Sequence, residues 1–374
     1  MISLDTRLSG KQLLLRESMI KFTGSPSNEI EICGTNARPL PFKLNRQLIK
    51  ILEDLGISAT AFERLQEDAV RKLQSSATST SSAIDFIRLN LTDSATGLSS
   101  LLKALSQTEI DVTEDNFLRD ILGALLQIQL RQLKYRSRIP VSDAVTLYGI
   151  CDETGCLHEG EIFVTFNGDS SSRQIQHLAG KVAITRSPAL HPGDVQVVTA
   201  VAPPDHSSLW DLRNCVVFSQ KGHRDLPSML SGGDLDGDLY NIIYDASLIP
   251  ENADTPASYL PAQPMDIGRV VTVEDMSGFF IDFMQNDQLG RIATLHQVLA
   301  DDEQGTRSPQ CLDLAALHST AVDFSKTGIP VGQSTGFANV NANLFRSILA
   351  AFHVLHPTGL ISWHPAQVLK SRKV

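Results

Sequence analysis

Residues 231–245 read SGGDLDGDLYNIIYD, and this stretch decides how the rest of the chain is interpreted. It brings Asp234, Asp236 and Asp238 within five residues of sequence. Three carboxylates this close repel one another, so a protein tolerates them only where they are exposed or neutralised by cations. Because the stretch contains no Lys or Arg, the neutralising charge must come from elsewhere in the fold or from a metal ion.

Glycines around the aspartates indicate a tight loop that leads into a strand. Gly232 and Gly233 precede the first aspartate, and Gly237 separates the last two. Glycine adopts the backbone angles needed to aim several neighbouring side chains at one point. The apolar run LYNIIY at 239–244 follows directly and is typical of a β-strand.

The aspartates alone leave two interpretations open and argue against a third. A surface turn would explain them, and so would a site for Mg²⁺, or Mn²⁺ in its place, because these ions take carboxylate oxygens as ligands. An EF-hand calcium loop would have the aspartates at positions 1, 3 and 5. It fails at position 6, where glycine is needed and the chain has Leu239.

Composition is that of a soluble globular protein. The 374 residues are 42% hydrophobic and 20% charged, and a chain of this length ordinarily forms two or three structural units. No apolar run approaches the roughly 20 residues of a membrane span, and no signal peptide is evident, so we expect an intracellular protein of the cytoplasm or nucleus, not bound to a membrane. The net charge of -10 argues against a protein that coats nucleic acid indiscriminately, but it permits an enzyme with a local basic channel. Five scattered cysteines without a CxxC pair are expected to be reduced.

The first third of the chain is predicted to be mainly helical. KQLLLRESMIKF at 11–22 resembles a short strand. Apolar spacing then predicts a helix from Leu44 with Asn45 as N-cap and Gly56 as C-terminal stop. Further helices are predicted at 59–74, 83–105 and 114–135.

From residue 138 the pattern changes to short β-branched runs separated by turns. Five or more strands over about 110 residues predict a barrel or a sandwich. His191-Pro-Gly-Asp fits a type II turn with Pro192 and Gly193 at its centre. Helices are expected again within 277–301 and 311–328.

Several segments resemble one known family in the order in which that family has them. Gly232-Gly-Asp-Leu-Asp-Gly-Asp resembles the catalytic signature of the cellular RNA-dependent RNA polymerases of RNA silencing. The other matching segments are SMIKF (18–22), LNRQLIKILEDLGI (44–57), LYGICDETGCLHEGEIFV (147–164), ITRSPALHPGDVQVV (184–198), VVFSQKG (216–222) and CLDLAALHSTAVDFSKTGIPV (311–331).

The resemblance implies an α+β fold in which a double-psi β-barrel carries the acidic loop. Residues 138–250 would form this second barrel of the family, and 44–137 the helical connector before it. Residues 1–43 would be the remnant of a first barrel, most of which lies outside the chain. A mixed, helical region at 251–345 and an unassigned tail at 346–374 would follow.

The resemblance also implies a function. The chain would copy single-stranded RNA into double-stranded RNA from nucleoside triphosphates, by Mg²⁺-dependent nucleotidyl transfer in RNA silencing, with silencing proteins as partners. Asp234, Asp236 and Asp238 would be the catalytic metal ligands. The alternative is a truncated, inactive relative that keeps only metal or RNA binding, because the facing basic barrel is largely missing.

Several cations are candidates for binding substrate. Arg186 and Lys221 lie near the acidic loop in sequence and would meet the triphosphate or the RNA backbone, although ordinary surface ion pairs explain them equally well. Lys21 would face the site from the first barrel, or be an exposed strand residue. For His191 a role in stabilising its turn is favoured over a substrate contact.

Two further groups match the family at helix ends. Asp323 and Lys326 would shape the channel or form a helix-end ion pair. Asn45, Arg46 and Gln47 are best explained by helix capping and surface contacts, with an RNA contact as the alternative.

Overall fold

The computed structural model describes residues 2–20, 24, 27, 29–75, 82–83, 86, 104, 115–168, 174–259, 264–301 and 305–331. The predicted helix at 83–105, apart from residues 83, 86 and 104, lies outside the described residues, as does the unassigned tail. The α-helices in these ranges are α1 (Arg46–Asp54), α2 (Ala59–Ser75), α3 (Asn116–Arg136), α4 (Leu226–Met229), α5 (Val273–Asn286), α6 (Leu289–Ala300) and α7 (Pro309–Thr327). The strands are β1 (Leu40–Lys43), β2 (Pro140–Cys151), β3 (Glu161–Asn167), β4 (Ile175–His177), β5 (Gly180–Arg186), β6 (Val195–Ala200), β7 (Cys215–Phe218) and β8 (Leu239–Ile243).

Six strands close into a barrel in the order β2–β7–β3–β6–β5–β8, because β8 pairs back onto β2. The pairs β2–β7 and β3–β6 are parallel, and the other four pairs of the ring are antiparallel. β1 extends the ring at β2, and β4 at β3. The closed mixed barrel and its flanking helices confirm the predicted α+β, double-psi fold, whereas the division of the chain into five segments stays a prediction.

Side chains that alternate along the strands fill the barrel. Val145 and Leu147 of β2 point into the same core cluster as Tyr240 and Ile242 of β8. Because side chains of a strand alternate between its two faces, the intervening Thr146 and Asn241 face outward. This alternation separates the interior of the barrel from its outer side, where Thr146 and Asn241 form a polar pair and Ala144 and Ile243 belong to the apolar cluster shared with α1.

Helices α1 and α2 cover one end of the barrel. The Asn45 side chain caps α1 by accepting a 2.9 Å hydrogen bond from the amide of Leu48, and Gly56 follows the helix with a φ of +98°, as predicted. Leu48 and Ile51 are buried against Ile243 at the end of β8. The helices therefore fix the end of β8 opposite to the acidic loop.

Two local predictions are wrong. The described part of 11–22 contains a 3-10 turn at Glu17–Met19 instead of a strand. The segment 191–194 forms a 3-10 helix, Pro192–Asp194, instead of a type II turn. The His191 and Asp194 side chains together form a capping box at the N-terminus of this helix. Gly193 does not take the positive φ that the third residue of a type II turn needs.

The C-terminal helices α6 and α7 have a hydrophobic core of their own. α6 and α7 bury Ile292, Leu295 and Leu314 between them. None of the residues of α5 is buried, and Phe280 is 63% exposed. In the described ranges, no helix combines the length and the apolar character needed to cross a bilayer.

Candidate active site

The acidic loop lies between α4 and β8, and it brings the three aspartates together. Carboxylate oxygens of Asp234, Asp236 and Asp238, one from each, all lie within 4.8 Å of one another. Asp234 and Asp236 are exposed, whereas the Asp238 side chain keeps only 9% of its accessible surface. Burial and the charge of Asp236 raise the pKa of Asp234 above its ordinary value, as expected for carboxylates in close proximity.

Arg186, the last residue of β5, supplies one cation to the loop. Its guanidinium lies 2.7 Å from the Asp238 carboxylate and donates a second hydrogen bond of 3.0 Å to the Ser231 carbonyl. Three carboxylates and one guanidinium leave two negative charges. One divalent cation would balance them.

The backbone of the loop is wound so that the side chains converge. Gly237 has a φ of +138° and Leu235 a φ of +61°. A left-handed conformation costs a residue such as leucine roughly 1–2 kcal/mol, and Leu235 packs against the barrel core, which offsets that cost. The amides of Asp234 and Asp236 donate to Asp238 and Asp234 at 2.9 and 3.3 Å, so the loop also bonds to itself.

Asp194 fixes the start of the loop from the 3-10 helix at 192–194. Its buried carboxylate accepts hydrogen bonds from the amides of Leu190, His191 and Ser231, at 3.0, 3.0 and 3.2 Å, and from the Tyr259 hydroxyl. Burial raises the pKa of Asp194 to about 6, against the opposing effect of these donors. Asp194 is therefore the point at which the turn, the loop and the segment after β8 meet.

The end of the loop is fixed by the first and last strands of the barrel. The amide of Gly149 on β2 donates a 3.2 Å hydrogen bond to the carbonyl of Asp238. The ring of Tyr240 lies in the core beneath the loop, and a Cβ at Gly233 would come within 2.5 Å of its hydroxyl. Burial, together with the Asp238 charge, raises the pKa of Tyr240 above its usual range. Glycine at 233 thus allows the loop to lie directly on Tyr240.

The other predicted site residues are arranged differently. Among the described residues, the exposed Lys221 pairs with none of the three aspartates. His191 caps its turn through Nδ1, which accepts from the amide of Gly193 at 3.0 Å. Asp323 and Lys326 lie 4.0 Å apart on the last turns of α7, and Lys21 lies outside the described residues.

Sequence reasoning missed four residues that position the loop: Asp194, Tyr259, Gly149 and Tyr240. Asp194 was visible as the last residue of the HPGD turn, where an acidic residue three positions after a cap signals a capping box. The other three carry no local signal, because their partners are far away in sequence. They become evident only when the barrel is closed.

Comparisons with known proteins give the family. A family model described as RNA dependent RNA polymerase matches residues 1–348. The chain belongs to the RNA-dependent RNA polymerase family. It is 37% identical over 338 residues to the probable RNA-dependent RNA polymerase 2 of Oryza sativa subsp. japonica, with 86% of this chain and 29% of that protein covered. RNA-dependent RNA polymerase 1 of Schizosaccharomyces pombe is 32% identical over 311 residues, with 76% and 25% covered.

A solved polymerase has a similar fold. RNA dependent RNA polymerase QDE-1 from Thielavia terrestris superposes with a TM-score of 0.61 at 22% identity, over 89% of this chain and 39% of that one. This polymerase-family chain therefore spans well under half of each of these three relatives. The resemblance noted in the sequence is confirmed.

The donor set of this polymerase-family chain fits a hard divalent cation. Three carboxylates on one loop offer the oxygen ligands that Mg²⁺ and Mn²⁺ prefer. Within the described ranges, no second group of His, Cys, Asp or Glu side chains converges in this way. Exposed Asp234 and Asp236 leave the site open to a substrate on the solvent side.

Proposed function

We propose that the acidic loop is the catalytic centre of an RNA-directed RNA polymerase that copies single-stranded RNA into double-stranded RNA. The observation that carries the proposal is the convergence of three carboxylates before β8 in a chain of this family. The relatives named above, which are called RNA-dependent RNA polymerases, support it. We expect the activity to serve RNA silencing, with silencing proteins as partners, in the cytoplasm or nucleus.

The proposed mechanism assigns the three aspartates to holding Mg²⁺, with Mn²⁺ as a substitute. When bound, such ions lower the pKa of an attacking 3′-hydroxyl and stabilise the negative charge of the pyrophosphate leaving group. The protein's own contribution is position, because Asp238 is held by Arg186 and by the Asp234 amide before any substrate arrives. Groups fixed in advance need no reorganisation during the reaction.

Cations would complete the site by meeting the triphosphate. Arg186 is the best supported, because its side chain already contacts Asp238 and is still 20% exposed. Lys221 is exposed in the segment that leads to α4, and would reach a nucleotide only from the rim of the site. Lys21 remains a candidate on the resemblance alone.

Incorporation of labelled nucleotides tests the proposal. The purified chain is incubated with a single-stranded RNA template, nucleoside triphosphates and Mg²⁺, and the product is tested for resistance to a nuclease specific for single strands. We expect Asp236→Asn to lower synthesis on the order of 10³-fold, whereas Asp205→Asn, at an exposed site elsewhere, leaves it unchanged. Synthesis that persists in the Asp236 variant would refute the assignment.

A second candidate function is binding of metal and RNA without synthesis. It needs only the three converging carboxylates, which offer oxygen ligands to a metal ion without any further residue. It predicts that Mg²⁺ raises the melting temperature of the wild-type chain and not that of Asp236→Asn, while neither makes product. Product that depends on Asp236 excludes it.

A further inference from the structure

A polar cavity of about 370 Å³ lies on the outer side of the barrel, between β1, α3 and the paired strands β2 and β8. Its polar wall is formed by Lys43, Gln129, Gln132, Arg138, Thr146 and Ser187. It is separate from the acidic loop, because Thr146 and its partner Asn241 face away from the barrel interior, which holds Tyr240. None of the residues described so far as part of the acidic loop lines it.

The cavity is cationic. Lys43 and Arg138 both line it, and no Asp or Glu is among the described residues that do. The Lys43 ammonium donates a 3.3 Å hydrogen bond to Gln129, which places it at the wall. Burial and the charge of Arg138 lower the pKa of Lys43, so the two cations are close enough to repel each other. An anion between them would relieve this repulsion.

The inner wall of the cavity is linked by hydrogen bonds and lies next to residues that hold the acidic loop. Buried Asn241 accepts from the Thr146 hydroxyl at 2.7 Å and donates to the Ser187 hydroxyl at 3.1 Å. Ser187 directly follows Arg186, which holds Asp238. Asn241 lies three residues after Asp238, roughly 10 Å along an extended strand. A ligand in the cavity is therefore within a short distance of the aspartates.

We infer that this cavity binds a phosphate group of a single-stranded RNA whose chain continues across the acidic loop. Guanidinium, ammonium and hydroxyl groups are the donors that recognise phosphate oxygens, and the volume admits a phosphate with its ribose. In a chain with a net charge of -10, a strand of RNA needs local cationic contacts of this kind. The inference rests on the proposed function. A free nucleotide shares the phosphate chemistry, and the test separates the two sources.

Binding of a fluorescent single-stranded oligoribonucleotide, measured by anisotropy without nucleotides or Mg²⁺, tests the inference. We expect Lys43→Gln/Arg138→Gln to weaken binding at least tenfold and to reduce the slope of log K against log salt by about 0.7, the value for one phosphate contact on a single strand. The control Arg71→Gln/Arg269→Gln removes the same charge at exposed positions and should change neither. Equal RNA affinity and slope for both double variants would overturn the inference.

A second variant guards against misfolding. Gln132→Glu keeps the shape of the side chain and places a negative charge in the cavity, so it should also weaken RNA binding. Gln127→Glu, on the exposed face of the same helix, should not. If the cavity variants lose affinity for ATP and keep affinity for RNA, the RNA assignment is wrong. The cavity variants leave the three aspartates in place, so they should keep the rise in melting temperature that Mg²⁺ produces in the wild-type chain. Loss of RNA affinity with that rise intact separates failure of the cavity from failure of the acidic loop.

Discussion

The Arg186 guanidinium contacts both a side chain and the backbone of the acidic loop. One nitrogen faces the Asp238 carboxylate at 2.7 Å and another the Ser231 carbonyl at 3.0 Å. The residue therefore neutralises charge and fixes geometry at once. A lysine at this position would carry the charge without the two-point contact, because its ammonium lacks the planar fork of guanidinium.

Replacing Arg186 should separate these two effects. We expect Arg186→Gln to lower the free energy of unfolding by about 2–4 kcal/mol, because the partly buried Asp238 loses its partner. Mg²⁺ should then stabilise the variant more than the wild type, since the cation takes over the missing charge. Thermal melts with and without Mg²⁺ measure both, with Arg64→Gln on the exposed face of α2 as control. If Mg²⁺ raised the melting temperature of the variant and the wild type equally, the neutralisation of Asp238 by Arg186 would not be the cause.

Asp194 is the second residue whose replacement is informative, because four donors converge on one carboxylate. Asp194→Asn puts an amide NH₂ opposite an N–H donor, so we expect a loss of about 2–3 kcal/mol in the free energy of unfolding, together with weaker metal binding. Tyr259→Phe removes one hydrogen bond and should cost about 1 kcal/mol. Urea unfolding gives both values. A Tyr259 effect as large as that of Asp194 would show that the hydroxyl alone carries the contact.

Among the elements, β2 and β8 come into tight contact at Gly149, where a Cβ would collide with the Tyr240 ring. Gly149→Ala should therefore push Tyr240 away from its position under the loop and lower the melting temperature and the metal affinity together. Gly123→Ala provides a matched control in α3, where a Cβ meets nothing within 4 Å. We expect the control to be neutral or stabilising by up to about 1 kcal/mol, as for alanine in a helix. Normal metal affinity in Gly149→Ala would mean that the loop does not depend on this contact.

The helix pair α6–α7 makes stability depend on pH. His296 and His318 are buried there, and burial lowers the pKa of each to about 4, with the charge of the other histidine contributing for His296. The unfolded chain takes up these protons below about pH 6.5. In the folded state both histidines stay neutral down to about pH 4. Their contribution to the free energy of unfolding is therefore fully present above about pH 6.5 and is lost as the pH falls from about 6.5 to about 4.

Removing one of these histidines should flatten the pH dependence. For His318→Leu we expect the free energy of unfolding to change less between pH 6.5 and pH 4, by up to about 1.4 kcal/mol per pH unit. Asp194 has the opposite effect: because its pKa is raised to about 6, its protonation favours the folded state as the pH falls. It contributes equally to the variant and the wild type. His206→Gln, at an exposed site, serves as control. The same pH slope in His318→Leu and wild type would contradict the assignment to this helix pair.

At the scale of the whole molecule, the sequence was sufficient for features with a local cause. The period of apolar residues predicted α1, α2 and α3, and Asn45 was identified as a cap because its partner Leu48 is three residues away. The glycines of DLDGD predicted a loop, and LYNIIY a strand. The convergence of the aspartates follows from the same short stretch.

The rest depends on contacts between distant segments. Nothing near residue 194 indicates that its carboxylate binds the amide of Ser231, 37 residues later. The HPGD turn was predicted as type II from its proline and glycine, whereas the side chains of His191 and Asp194 decide its shape. Lys221 precedes the loop in sequence and, among the described residues, pairs with none of its three aspartates. Arg186 reaches the loop because β5 pairs with β8, with Arg186 opposite Tyr240.

The closure of the barrel by its last strand has a consequence for the order of folding. Helix α1 needs only neighbouring residues to begin, but the β2–β8 pairing joins Ala144 to Ile243 across the barrel domain, and such long-range contacts form late. The acidic loop takes its shape from partners on β2, on β5 and in the 3-10 helix at 192–194, so we expect it to become ordered only when the barrel closes. A chain that has gained its helices would still bind Mg²⁺ poorly. Metal affinity would therefore indicate whether the barrel has closed, both in refolding experiments and in destabilised variants.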